Sequence, residues 1–457
     1  MVRVVITGVG VVSPIGCGVN EFWSNVTAGR SGIGPISLFD ASAFPVRIAG
    51  EVKDFQLEPF MEEFPNLRNC RDRKVFFALE AARQATADSR LSFTDLRNGL
   101  LHIGVGLEIF SLEDLTPYAR LINSGHSIIS LLMDNQSWNA HPFDSFDEAQ
   151  DRCAQDKPGR GTGASTELSR MSLKAEPRML QTPLDYASRV LGDRYGLLAG
   201  RYTNCSACAA GAQAIGEAWQ MLREGLAEIA LAGATDSMIN PLGVGGFSLL
   251  RVLSNENEKP QRACRPFDAF RKGTVLGEGA SFAVLETLDR ALARKAKIYA
   301  ELVGYASSMD AFRVSDPDNT GRGAVQCMNK ALKAAQLSPG DIDCVNAHGT
   351  GTIKNDIVET AAIKESLGRR AYEIGVHAVK SMTGHMIAAS GAVEAVVAAL
   401  TIFHKVIPPT INLERPDDQC DLDYVAGAAR EFNGDTVLSN SFGFGGQNAT
   451  LILRRYS

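Results

Sequence analysis

No run of five or more basic residues occurs in the 457 residues, and Asp and Glu (52) outnumber Lys and Arg (46), for a formal charge of -6. That excludes the electrostatic footprint of a nucleic-acid-binding chain. An acidic partner protein would need only a local basic patch. Candidates are Arg68, Arg71, Arg73 and Lys74, or Arg265, Arg271 and Lys272. Long uninterrupted apolar runs are also missing. The longest, Met386 to Phe403, carries Glu394 and many small residues, so it reads as a buried core helix and no membrane span is expected. No signal segment precedes the apolar run that starts at Val2. Nine scattered cysteines, an odd number, suit reduced thiols in the cytoplasm rather than a disulfide framework. Cys205-Ser-Ala-Cys208 has no second Cys-x-x-Cys to join it, and no metal is expected. Gly8-Val-Gly10 lacks the third glycine of a dinucleotide fingerprint, and Pro14 stands where a phosphate-binding helix would begin. It reads as a tight turn between core elements.

What is present is a thiol among small residues. Cys208 stands in Tyr202-Thr-Asn-Cys-Ser-Ala-Cys208-Ala-Ala-Gly211-Ala-Gln-Ala-Ile-Gly216, where a strand gives way to a helix. The positive end of a helix favours thiolate over thiol. Small neighbours leave room for a substrate carbonyl beside the sulfur. Cys208 is therefore a candidate nucleophile, and the chain should supply proton donors or bases around it. Two histidines meet that need. His348 lies in Asn346-Ala-His348-Gly-Thr350-Gly-Thr352, followed by Asp356 and Glu359, and His385 closes Lys380-Ser-Met-Thr-Gly-His385. Each is expected where a strand opens into a loop, beside glycine, which suits a working histidine. His102, His126, His141, His377 and His404 lack that setting and read as structural.

Strands alternate with helices along the chain, the pattern of an α/β fold. Strands over 2–12, 102–107, 201–205 and 229–234 and helices over 75–90, 185–197 and 209–224 make a first half. A polar stretch over 260–271 sets the internal boundary, giving halves of 1–263 and 264–457. The second half opens with a strand at 281–286 and contains both histidines. Residues 134–174 are polar and irregular, inside a 108–180 segment expected to be an atypical insertion. Loops of such length are uncommon in compact domains and are often functional.

The Cys208 turn, the two histidine motifs and Asn440-Ser-Phe-Gly-Phe-Gly-Gly446 follow the order seen in condensing enzymes. Thr7 to Gly16, Pro241 to Phe247, Arg265-Pro-Phe-Asp268, Gly277-Glu-Gly-Ala280 and Pro408 to Leu413 extend the match. The whole chain resembles the elongating type II β-ketoacyl-(acyl carrier protein) synthases. That resemblance implies a thiolase-like fold, two similar halves in αβαβα layers, and a homodimer, with a heterodimer as the alternative. It implies that Cys208 takes an acyl group from acyl carrier protein, and that malonyl-carrier protein then loses carbon dioxide and attacks it. His348 and His385 would stabilise the enolate. Backbone N–H groups of Cys208 and Phe444 would hold the acyl oxygen, and Phe444 would also gate the site. Lys380 would be a further catalytic residue, open between direct chemistry and support of the His385 loop, with Glu394 as its ion partner and Asn440 as a further supporting residue. Thr350 and Thr352 would bind the pantetheine arm. Phe442 is open between a substrate contact and core packing. No cofactor is implied beyond the phosphopantetheine arm that arrives on the carrier.

Two other readings compete. A thiolase needs a second cysteine near the C-terminal glycine turn, and none follows Cys420. A non-catalytic, chain-length-determining partner subunit would lack the nucleophile. Cys205 raises a separate expectation, that a Cys205–Cys208 disulfide inactivates the enzyme, with Cys205 inside the preceding strand. Acyl chain length is not readable from these residues. The unfamiliar 108–180 segment tilts the reading from ordinary fatty-acid synthesis toward a specialised polyketide or polyene pathway.

Overall fold

The computed structural model describes residues 2–68, 70–107 and 182–457. In chain order the first half holds β1 (Val4–Ser13), α1 (Arg73–Ser89), β2 (Leu100–Val105), α2 (Tyr186–Tyr195), β3 (Gly200–Asn204), α3 (Ala210–Arg223), β4 (Ile229–Ser237) and β5 (Glu278–Thr287). The second holds β6 (Ala300–Met309), α4 (Arg322–Ala335), β7 (Cys344–Asn346), α5 (Ile353–Leu367), β8 (Gly375–His377), α6 (Ser390–His404), β9 (Thr436–Gly443) and β10 (Gln447–Arg454).

These strands form one sheet in the order β3-β2-β4-β5-β1-β6-β10-β9-β7-β8. The order is a repeat read outward from its centre. β1 pairs antiparallel with β5 and β5 with β4, while β4 and β2 and then β2 and β3 run parallel. β6, β10, β9, β7 and β8 repeat the same senses in turn. β1 and β6 join the two copies at Val4–Ile6. The structure therefore has two similar halves, but it moves their boundary. Sequence patterning placed it at 263/264 and gave the strand at 281–286 to the second half. That strand is β5, which closes the first copy between β1 and β4, so the repeat changes over between Thr287 and Ala300. The polar stretch at 260–271 is not a linker. Phe267, Asp268 and Arg271 are buried within it, and Arg271 is paired with Asp356 and Asp417.

Helices α3 and α6 form the middle layer and pack on each other, with α1 outside on β1, β5 and β4 and α4 outside on β6 and β10. α6 is nearly all small or apolar and α3 is so over Ala210–Gly216 apart from Gln213, as the covered part of a helix must largely be. Ile387 to His404 is 89% buried, so this run is a core helix despite a length and composition that would span a membrane. At the crossing, a Cβ on Gly211 would lie 2.6 Å from Ala392 N, and one on Gly391 would lie 2.7 Å from Ala212 N. Gly8 and Gly10 serve a similar purpose within β1, since a Cβ on either would strike the backbone of α1. They are strand glycines rather than the turn expected from sequence.

The chain divides into two units, one of Met1–Glu63, Asp72–Glu108 and Pro183–Ser457, the other of Phe64–Arg71 and Ile109–Thr182. Most of the second, and nearly all of the expected 108–180 insertion, lies outside the described residues. Neither proposed basic patch is intact. Lys74 is buried, 2.9 Å from Asp72 and donating to Leu107 O at 2.8 Å, and Arg73 pairs with Glu278. In the other patch Arg271 is buried and paired, as above.

Candidate active site

Cys208 sits in a single turn of 3-10 helix, Ala207–Ala209, that joins β3 to α3. The turn is sharp enough to force Ala207 to a φ of 49°, a conformation that costs a non-glycine residue on the order of 1 kcal/mol. Strain of this kind lifts the next side chain clear of both elements, and the Cys208 thiol points into a buried space. Its Sγ lies 3.1 Å from His385 Nε2. The rings of His385 and His348 meet edge to face at 5.3 Å between centroids. Ligand atoms of Cys208, His348 and His385 all lie within 4.8 Å of one another. The three residues singled out from sequence therefore share one site.

His348 follows β7 directly, as expected. Its loop is held by carboxylates of α5. Glu359 accepts from His348 N at 2.7 Å and Gly349 N at 2.8 Å, while Asp356 accepts from Gly351 N at 3.2 Å. Burial and these two N–H donors act on Glu359 in opposite directions, and burial wins, raising it to about 7. His385 differs from expectation, because a one-turn helix, Lys380–Thr383, stands between it and β8. Its backbone is fixed instead by the approach to β5. His385 N donates to Val275 O at 2.7 Å and Gly277 N donates to His385 O at 2.9 Å.

Lys380 links the two histidine loops. Its Nζ lies 3.1 Å from His348 Nδ1, donates to His348 O at 2.7 Å and is paired with Glu394 on α6. Both members of that pair are 1% exposed. Burial raises Glu394 to about 7 against the pull of the ammonium. An ammonium has no lone pair, so His348 Nδ1 must be the acceptor, and the ring carries its proton on Nε2. Burial, and then the Lys380 charge, hold both histidines well below the usual imidazole range. They are neutral at pH 7. Burial likewise pushes the Cys208 thiol up to about 12, opposed by the Lys380 charge and the Phe444 backbone N–H.

That N–H comes from the glycine turn Phe444–Gly446 between β9 and β10. The turn can press against Cys208 because Gly443 has no side chain. A Cβ there would lie 3.0 Å from Cys208 N. Phe444 is half-buried, its ring stacked 6.1 Å from Phe247. Phe442 lies 6.0 Å from His348 between ring centroids and packs on the second-half core. Thr350 and Thr352 share a hydroxyl–hydroxyl contact of 2.9 Å. Asn440 does not reach the centre. It accepts from Thr450 Oγ1 at 2.9 Å across β9 and β10. Cys205 lies just past β3 rather than within it, exposed, with Sγ 3.8 Å from Gly106 O.

Sequence reasoning missed Ser390, whose Oγ is 2.9 Å from His385 Nδ1, and Asp236, which accepts from Ala388 N at 3.0 Å. Ser390 was hidden in an apolar run, although its spacing five residues after His385 was a usable signal. His102 pairs with Glu217 at 2.8 Å, away from the centre.

Comparison with known proteins identifies the family. Residues 1–140 and 153–291 match the β-ketoacyl synthase N-terminal domain, and 299–414 match the C-terminal domain. The chain belongs to the β-ketoacyl synthase family. The break in the match, 141–152, is far shorter than the 108–180 expected to be atypical. This synthase is 40% identical over 455 residues, 99% of its length and 98% of the relative's, to 3-oxoacyl-(acyl-carrier-protein) synthase 2 of Synechocystis. It is 37% identical over 455 residues, 99% and 97%, to the tetracenomycin polyketide synthase ketoacyl synthase alpha subunit of Streptomyces glaucescens. Among solved structures, a β-ketoacyl synthase of Burkholderia phymatum superimposes with a TM-score of 0.80 at 30% identity over 100% of both chains. The ishigamide ketosynthase/chain length factor does so at 0.79 and 33%, again over 100% of both. The fold is thiolase-like, and the chain is a carbon–carbon bond-forming acyltransferase of fatty-acid or polyketide synthesis. The reading as a non-catalytic partner subunit is not favoured.

Proposed function

We propose that this synthase elongates an acyl chain held on Cys208, with acyl carrier protein delivering both substrates. The observation that carries the reading is the 3.1 Å approach of His385 Nε2 to Cys208 Sγ beside a second neutral histidine. In the first half-reaction Sγ attacks the acyl thioester, and the Cys208 proton leaves with the released pantetheine thiol. The acyl oxygen takes hydrogen bonds from the Cys208 and Phe444 N–H groups, which donors fixed before the reaction can stabilise strongly. In the second, malonyl thioester loses carbon dioxide. The Nε2–H groups of His348 and His385 stabilise the enolate oxygen as its carbon attacks the acyl-cysteine. Collapse forms the β-ketoacyl thioester and returns Cys208 as thiolate, which takes a proton from solvent.

Other assignments belong to the same proposal. Thr350 and Thr352 hold the pantetheine arm, and the Phe444 ring gates entry of malonyl thioester. Lys380 and Glu394 keep His348 oriented. Cys208, His348 and His385 act without a metal, and the Lys380 ammonium beside His348 would repel a cation. A carrier-protein partner is supported by the relative solved in complex with a type II polyketide acyl-carrier protein. A homodimer through β3 is supported by its edge position and by two exposed apolar side chains, Tyr202 on the strand and Leu198 just before it. The thiol chemistry needs a reduced cytoplasm.

Incubation with acyl-carrier protein and mass spectrometry of the Cys208 peptide tests the reading. An acyl adduct on Cys208, discharged by malonyl-carrier protein, is the expected result. Absence of any adduct over short, long and polyunsaturated acyl groups rejects the enzyme.

A further inference from the structure

Ser390 is the first residue of α6, and its side chain faces back toward the histidine loop. It is 2% exposed. Among the described residues its only hydrogen-bond partner is His385 Nδ1, at 2.9 Å. No backbone carbonyl takes its proton. That leaves two ways to distribute hydrogens over Ser390, His385 and Cys208. In one, Nδ1–H donates to Oγ and the thiol donates to Nε2, and the hydroxyl proton is buried without an acceptor. In the other, the hydroxyl donates to Nδ1 and Nε2–H donates to Sγ, leaving only a thiol proton unused. A buried hydroxyl proton without a partner costs about 1–3 kcal/mol, whereas S–H is a weak donor and loses little. The second arrangement is favoured.

We infer that Ser390 is a positioning residue that fixes His385 as its Nε2–H tautomer and so makes it a standing hydrogen-bond donor. This deepens the proposed mechanism and rests on it. Lys380 performs the same task for His348 through Nδ1 at 3.1 Å. The two rings are thus prepared by different means, an ammonium for one and a hydroxyl for the other, and both present Nε2–H to the same oxygen. Neither ring needs a tautomer change between half-reactions. The two pinned donors form a preorganised oxyanion site.

The experiment is a double-mutant cycle read on malonyl-carrier-protein decarboxylation. Removing a complete oxyanion donor costs about 10²–10³ in kcat. Ser390→Ala leaves the ring in place but frees its tautomer, so a loss of about 10-fold in kcat is expected, with KM within about twofold. Ser390→Thr, which keeps the hydroxyl, should stay within about threefold of the parent. In a His385→Ala background, Ser390→Ala should change nothing further, because its effect passes through that ring. An equal loss in both backgrounds overturns the inference, as does a Ser390→Ala rate equal to the parent's. If the parent neither acylates Cys208 nor decarboxylates malonyl thioester, the proposed function fails separately. Nitrogen-15 shifts of His385 then decide the tautomer alone: a protonated Nε2 supports the assignment and a protonated Nδ1 overturns it.

Discussion

Replacing Glu394 with Gln isolates what the buried ion pair contributes. The side chain keeps its shape and a carbonyl that can still accept from Lys380 Nζ, but the negative charge is gone. Lys380 would then face only neutral acceptors, that carbonyl with His348 O at 2.7 Å and His348 Nδ1 at 3.1 Å, at a site 1% exposed. Breaking a buried pair typically costs about 3–5 kcal/mol, because one charge is left uncompensated. The retained carbonyl places Glu394→Gln near the lower end, about 3 kcal/mol or roughly 150-fold in the folding equilibrium. Urea unfolding at pH 7.5 and fixed protein concentration measures it. The decisive comparison is Lys380→Met/Glu394→Gln. Removing both charges relieves the uncompensated ammonium, so the double variant should regain about 2 kcal/mol over Glu394→Gln alone. Its decarboxylation should nevertheless fall below that of Glu394→Gln, because only in the double variant has His348 Nδ1 lost its Lys380 donor. A double variant no more stable than Glu394→Gln would refute the reasoning.

Three further outcomes follow from particular contacts. Gly443→Ala places a Cβ 3.0 Å from Cys208 N and 3.2 Å from Ala209 N, so acyl transfer to Cys208 should fall about 10-fold or more, the size of a displaced oxyanion donor. Time-resolved acylation measured by mass spectrometry checks it. Thr350→Val and Thr352→Val should each raise KM for carrier-bound substrate severalfold, while iodoacetamide labelling of Cys208 stays at the parent rate. The third outcome concerns His377, which is buried with neither ring nitrogen hydrogen-bonded among the described residues and is held at about 3 by burial. The unfolded chain takes up its proton near pH 6.5 and the folded chain does not. Stability should therefore be complete above pH 6.5 and decline as pH falls toward 3, by up to about 4 kcal/mol from this residue. His377→Leu should flatten that slope in urea titrations across the same pH range.

The chemistry was easier to read than the architecture, for physical reasons visible in single residues. Cys208, His348 and His385 stand in small-residue turns, and such turns announce themselves locally because only small residues permit them. The boundary at 263/264 failed because polarity was taken for exposure. Asp268 and Arg271 are charged yet buried, held by backbone N–H groups of Glu414 and Arg415 and by the carboxylates of Asp356 and Asp417. Those partners lie 80 or more positions away, and no local pattern reports them. Gly8 and Gly10 misled in the opposite sense. Their signal was real, but it marked the approach of α1 rather than a turn. Ser390 is marked only by its spacing from His385, because an apolar helix tolerates one serine.

The repeat brings out how the Cys208 turn differs from its counterpart in the other half. Cys208 and Ala388 occupy equivalent turns, each entered through a residue of positive φ, Ala207 at 49° and Ile387 at 42°, and each leading into a central helix. The facing strands differ at the position that meets the turn. Asp236 is the eighth residue of β4 and Gly443 the eighth of β9. In one turn the Asp236 carboxylate takes the Ala388 N–H at 3.0 Å. In the other, Gly443 offers no acceptor to the Cys208 N–H, and a Cβ there would lie 3.0 Å from Cys208 N. On the proposed mechanism, an aspartate at 443 would put a negative charge where the acyl oxyanion forms and would repel the thiolate as well, so that mechanism calls for a residue without a side chain there.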